Sequence, residues 1–89
     1  MNRRSKIDIV HDILKAISDK GGIILPTHLL YKSNLSHQRL KSYIDELKEK
    51  KLLEEIEEKK KFLFKLTQEG YDFLNKYKQL KQFTDAFGL

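Results

Sequence analysis

The 89-residue sequence contains no cysteine and only one proline. Without cysteine there are no disulfides, no thiolate metal sites and no cysteine nucleophile, which fits a reducing compartment. Long apolar runs are also missing, so nothing reads as a membrane span. The chain starts basic with Arg3, Arg4 and Lys6, but Asp8, His11 and Asp12 interrupt the apolar stretch a signal peptide needs. The expected location is cytoplasmic, on the nucleoid. No glycine-rich phosphate loop, HExxH pair or nucleophile elbow is present. The three histidines (His11, His28, His37) are scattered, and His11 and Asp12, being adjacent, are expected to face different directions on a helix. No metal site is predicted. The carboxylates fall where helix faces and strands want them. No enzyme, cofactor or small-molecule substrate is expected.

What is present is charge. Asp, Glu, Lys and Arg make up 35% of the chain against 39% hydrophobic residues, enough for one small core and a heavily solvated surface. The net charge is +5, and its location matters more than its size. Residues 1–53 hold 11 basic against 6 acidic side chains, whereas residues 54–66 and 67–89 are each balanced. A local excess of this kind suits a polyanion-binding face, and it also occurs on Lys/Glu-rich thermophile surfaces.

The pattern Ile7, Val10, Ile13/Leu14, Ile17 predicts a first helix, capped by Ser5 and ended by Gly21-Gly22. Ile23-Ile24-Leu25 is too short to assign by periodicity and reads as a small strand or an extended entry. Pro26 suits the first turn of a short second helix, with Leu29 and Leu30 turned inward. A polar turn, Lys32-Ser33-Asn34, follows, and Leu35 plugs it into the core. Ser36 then caps a third helix in which Leu40, Tyr43, Ile44 and Leu47 form one stripe. That order is a helix-turn-helix. Arg39 and Lys41 occupy the third helix's N-terminal half and Asp45, Glu46 and Glu49 its C-terminal half. A helix meeting phosphates with its positive end is charged this way; a solvated face with incidental charges is the bland alternative.

After Lys51, Leu52, Glu54 and Ile56 alternate on one arm of a predicted hairpin and Phe62, Phe64 and Leu66 on the other, with Glu57–Lys61 as a charged tip. A two-stranded ribbon must lay its apolar face on the helices. Tyr43, Phe62, Phe64, Tyr71 and Phe73 all read as core-type aromatics. Thr67 caps a last helix in which Phe73, Tyr77, Leu80, Thr84 and Phe87 follow heptad spacing over two repeats. As one helix, residues 67–87 would reach ~31 Å, longer than a domain this small needs. Either this helix folds back on its own domain or it meets a second copy.

Leu35-Ser36, Lys51-Leu52-Leu53 and Phe64-Lys65-Leu66-Thr67-Gln68-Glu69-Gly70, together with Arg3–Ile9, resemble an archaeal winged helix-turn-helix protein. The plan is similar to the small archaeal chromatin proteins in which an antiparallel coiled-coil dimer helix follows the winged helix. The resemblance covers residues 3–87. It implies a mainly α fold with a small β-hairpin (α+β): a winged helix-turn-helix over residues 1–70 and a dimerisation helix over 67–89. It also implies double-stranded DNA as partner. Ser36, His37, Gln38, Lys41 and Ser42 would then face the groove, with Arg39 and Lys32 beside them and Lys59, Lys60 and Lys61 as wing contacts. Arg3 and Arg4 would lie along the backbone or minor groove, or else form a solvated terminus. Phe73, Tyr77, Leu80, Phe83, Thr84 and Phe87 would form the homodimer seam. Two departures stand out: the family usually has glycine where Lys51 sits, and the last helix is shorter than the chromatin proteins' coiled coil. Two rival readings are a protein-interaction winged helix and an RNA-binding face, although the stacking platform of single-strand readers is missing.

Overall fold

The computed structural model describes residues 5–89; Arg3 and Arg4 lie outside them. Helix α1 spans Lys6–Asp19, strand β1 Ile23–Ile24, α2 Pro26–Ser33, α3 His37–Glu49, β2 Leu53–Glu58, β3 Lys61–Leu66 and α4 Gln68–Ala86. The Ser5 hydroxyl accepts from the Asp8 N–H, and the Asp8 carboxylate accepts in return from the Ser5 N–H. This capping box satisfies two donors that would otherwise be orphaned. At the far end Gly21 and Gly22 take φ of 82° and 92°, the left-handed geometry that stops α1.

Ile13, Leu14 and Ile17 of α1 are fully buried with Leu29 of α2, and Leu40, Ile44 and Leu47 of α3 close the core from the other side. Ile23-Ile24 is a strand. It pairs antiparallel with β3, so the sheet has three strands in the order β1-β3-β2 rather than the two-stranded ribbon expected. A third strand pins the base of the wing to the body. The register also corrects the expected face of β2. Leu52 precedes the strand, and Leu53, opposite Leu66, is the buried residue; Ile56 lies opposite Leu63 on the other face. Glu54 lies opposite Lys65 and Glu58 opposite Lys61 in the register, so opposite charges face each other across the ladder.

Phe62 is not core. It shares a face with Phe64 and Leu66 but sits beyond the helices and remains 56% exposed, while Phe64 is buried. Tyr71, also expected inside, is 40% exposed, with its hydroxyl over the Cα of Gly22 so that no Cβ would fit there. His11 and Asp12 do meet: the His11 Nδ1 lies 3.2 Å from the Asp12 carboxylate.

One corner ties the sheet to the last helix. Lys51 takes φ of 63°, so the position where the resembled family has glycine is left-handed here with a side chain in place. Its carbonyl accepts from the Thr67 hydroxyl at 2.7 Å, and the same hydroxyl accepts from the Gly70 N–H at 3.1 Å. Thr67 therefore caps α4 and holds the chain leaving α3. Gly70 is buried against Leu66, the Leu66 Cδ1 standing 2.7 Å from where a Cβ would be, with the Leu52 carbonyl closer still. The Leu-Thr-x-x-Gly motif is a packing requirement.

Candidate nucleic-acid interface

The helix-turn-helix turn is built from Ser33 to Ser36. Asn34 ends α2 at φ 57°, a left-handed value that asparagine tolerates better than most residues. The buried Ser33 hydroxyl donates to the Leu30 carbonyl at 3.1 Å and accepts from the Leu35 N–H at 3.3 Å. With Leu35 buried, the direction of α3 is set. Ser36 caps α3 by accepting from the Arg39 N–H at 3.2 Å, as its hydroxyl predicted. His37, Gln38, Arg39, Lys41 and Ser42 are all exposed, and Arg39 makes no ion pair among the described residues.

The acidic half of α3 is largely neutralised. Lys41 lies 3.1 Å from Asp45 and Lys6 of α1 lies 2.7 Å from Glu46. The Glu46 partner raises the Lys6 ammonium above its ordinary pKa, and Lys6 in turn lowers the Glu46 carboxyl. Both pairs lie at the surface, where solvent screening leaves them weak.

His37 and Lys41 share a groove of about 310 Å³ with Pro26 and Thr27 of α2, Lys48 of α3 and Phe64 of the sheet. Lys48 spans its far side to Glu55 of β2 at 3.4 Å, bracing the wing against α3. The first turns of α2 and α3 therefore open on one basin. Sequence reasoning missed Thr27. It is exposed on a helix whose N-cap, Leu25, has no side-chain acceptor for the first-turn N–H groups. Pro26 was the available signal. Lys32 is not gathered into this basin; it lies with Asp12 and Asp19 of α1 around a different groove.

The wing tip is shorter than the sequence suggested. Strand pairing continues through Glu58↔Lys61, leaving only Lys59 and Lys60 in the turn. Their φ values are 52° and 64°. Two residues with positive φ match a type I′ hairpin, a turn that normally takes Asn-Gly. Lys61 is exposed but opposite Glu58 within the ladder.

Helix α4 divides the expected seam in two. Phe73 and Leu74 pack against the core cluster, and Tyr77 is held by α1. The Tyr77 hydroxyl donates a short hydrogen bond to the Asp8 carboxylate, and its ring stacks on His11 with centroids 4.0 Å apart. Phe73 and Tyr77, expected in a dimer seam, thus serve the protomer's own packing. Thr84 is half-buried, its hydroxyl donating to the Lys81 carbonyl. Leu80, Phe83 and Phe87 remain 52%, 60% and 68% exposed, with the two phenyl centroids 4.9 Å apart.

The Asp8 clasp has a pH signature. Its bond to Tyr77, then that from Ser5, lowers the Asp8 carboxyl below its ordinary pKa, while the same contact and burial push the Tyr77 phenol up to about 12. The depressed Asp8 contributes stability above its unfolded value of 3.8, lost as pH falls through its folded pKa. The raised Tyr77 contributes below pH 10, lost as pH rises toward about 12. In an ultraviolet phenolate titration, one of the four tyrosines should ionise late. That late phase should vanish in Tyr77→Phe; its persistence would place the perturbed phenol elsewhere.

The profile of a family described as winged helix-turn-helix matches residues 3–85. Among solved structures, Sso10a-2, described as a DNA-binding protein from Sulfolobus solfataricus, superposes with a TM-score of 0.79 at 17% identity, over 94% of this chain and 85% of that one. F93 from STIV, described as a winged-helix DNA-binding protein, gives 0.76 at 21% identity over 90% and 92%. BpsR of Bordetella bronchiseptica, whose DNA binding is described as regulated by 6-hydroxynicotinic acid, gives 0.73 at 21% identity over 88% of this chain and 61% of BpsR. No curated protein sequence matches the chain.

Proposed function

The chain belongs to the winged helix-turn-helix family, and on that premise we propose that it is a non-enzymatic double-stranded DNA-binding protein acting as a homodimer. Helix α3 enters the major groove with Gln38, Lys41 and Ser42, and Arg39 and His37 reach the flanking phosphates. The first turn of α2 lies on the backbone at Thr27. The wing follows the backbone from its lysine tip.

The observation that carries this reading is the tip itself. Lys59 and Lys60 both hold positive φ, at a cost of ~1–2 kcal/mol each for a residue with a Cβ. Glycine or asparagine would relieve that cost, so the sequence keeps two cations at the expense of stability, as binding sites often do. The DNA-binding descriptions of Sso10a-2 and F93 support the same reading. Of the residues placed in the groove, only Gln38 and Lys41 are well suited to specific base-edge contacts. Sequence preference should therefore be weak, closer to a chromatin-associated protein than to a single-operator repressor.

Affinity for random duplex DNA should fall steeply between about 50 and 300 mM salt, with a slope of ~0.9 per phosphate contacted. A flat salt response, or a stronger preference for RNA of matched length, would overturn the proposal in favour of a protein or RNA partner.

The dimer rests on the exposed stripe of Leu80, Phe83 and Phe87. A helix of 19 residues reaches ~28 Å, and the protein is 48 Å along its longest axis against 29 and 22 Å on the others. An exposed aromatic and leucine stripe on such a helix marks a partner surface. Leu80→Asp should leave the fold intact, because Leu80 is half-exposed, and convert the dimer to monomer in sedimentation equilibrium. A wild-type protein monomeric at high concentration would end the dimer proposal while leaving DNA binding open.

A further inference from the structure

We propose that the protein bends the duplex it binds, with Phe62 of the wing as the wedge; this rests on the DNA-binding reading above. Phe62 follows the lysine tip on β3 and remains 56% exposed. Among the described residues no other ring stacks on it. Phe64 and Leu66, on the same face, are the buried pair, and Phe62 does not pack against the core cluster. Only a partner can take that ring out of water.

The sheet sets its direction. Phe62 shares a face with Phe64, which lines the basin holding His37 and Lys41. The ring therefore stands on the side of the wing that α3 occupies, between that helix and Lys59-Lys60. Strand β3 is the central one, paired with β1 at its base and with β2 along its length. Lys48 braces β2 through Glu55. A wedge needs such backing, because a stiff duplex resists bending.

Charge decides what the ring meets. Glu57 lies opposite Phe62 in the register and makes no ion pair among the described residues. An anion there keeps a phosphate from settling on the inner face of the wing, while Lys59 and Lys60 draw the backbone to the tip. Lys59, Lys60 and Lys61 still outnumber Glu57 and Glu58, so the outer wing as a whole attracts DNA. Sugars and bases, not phosphates, then meet the ring. Apolar side chains inserted at a base step from the minor groove unstack it and kink the duplex toward the major groove. Pyrimidine–purine steps yield most easily, so TA steps are where the kink forms.

The test uses the full chain and a duplex of about 30 base pairs with TA steps, labelled at both ends for fluorescence energy transfer. Wild type should bend it by at least ~20°. Phe62→Ala, at an exposed position, should keep the melting temperature but lose most of the bend. Its affinity should fall about tenfold with the salt slope unchanged, because an apolar contact releases no counterions. Phe62→Leu, which keeps an apolar wedge, should retain most of the bend. A bound but straight duplex, or a bend unchanged in Phe62→Ala, would overturn the inference and leave DNA binding standing. No binding at low salt would end both.

Discussion

Gly70→Ala is expected to lower the melting temperature by about 10–20 °C. A Cβ at this position would run into the Leu52 carbonyl and stand 2.7 Å from the Leu66 Cδ1. Neither neighbour can yield cheaply. The carbonyl belongs to the main chain entering β2, and Leu66 is buried in the core. Overpacking of this kind costs about 2–3 kcal/mol, and in a domain this size each kcal/mol shifts the midpoint by roughly 4–8 °C. Gly21 is the internal control. It has positive φ but nothing within 4 Å of its missing Cβ, so Gly21→Ala should cost only the left-handed backbone penalty, about 1 kcal/mol. The order of the two variants in a thermal melt is the decisive readout. If Gly21→Ala proves the worse, the corner joining α3, β2 and α4 is not the tight contact described.

The second large effect separates stability from function. Replacing Lys59-Lys60 with Asn-Gly should raise stability by about 1–2 kcal/mol, because that pair suits a type I′ turn and removes left-handed strain from two side-chain-bearing residues. The same change should weaken DNA binding several-fold and reduce the salt slope by up to ~2, about one for each phosphate that a tip lysine neutralises. Denaturant unfolding and a salt titration on one sample suffice. Stability and affinity moving in opposite directions would show that the lysines are kept for their charge. Affinity unchanged in the stabilised variant would remove the wing tip from the interface.

Most of the helical frame was legible because each helix announces its own start. Ser5, Ser36 and Thr67 are side-chain caps in the structure as their hydroxyls implied. The apolar stripes of α1 and α3 are the buried faces, except that Ile7, expected in the α1 stripe, sits at the helix start and is 48% exposed. These are local properties, set within three or four residues. The wing was legible as a hairpin but not in its detail. Alternation in Leu52–Ile56 is ambiguous by one position, and one position inverts both faces of a strand. The register follows instead from β1, which pairs Ile23 with Lys65 and Ile24 with Phe64 and thereby places β3 against the helices. A two-residue strand carries too little periodicity to be recognised alone.

The last helix shows the same division. Heptad spacing identified Phe73, Tyr77, Leu80, Thr84 and Phe87 as one stripe, since they do share a face. Which part of that stripe belongs to the protomer depends on where α1 ends up, and Asp8 meets Tyr77 across 69 residues of chain. Likewise, Lys32 and Lys41 looked equivalent in sequence, yet one turns toward α1 and the other toward the α2–α3 basin.

By itself the sequence determined the helix caps, the helix-turn-helix order and the excess of basic residues before the wing, because each rests on contacts between near neighbours or on composition; the family showed as a resemblance in short motifs. The tertiary structure alone decided the third strand, the split of α4 into a packed root and an exposed end, and the groove beside α1. Those features exist only where distant segments meet, and the entropy of closing such long loops is recovered only when the whole core forms.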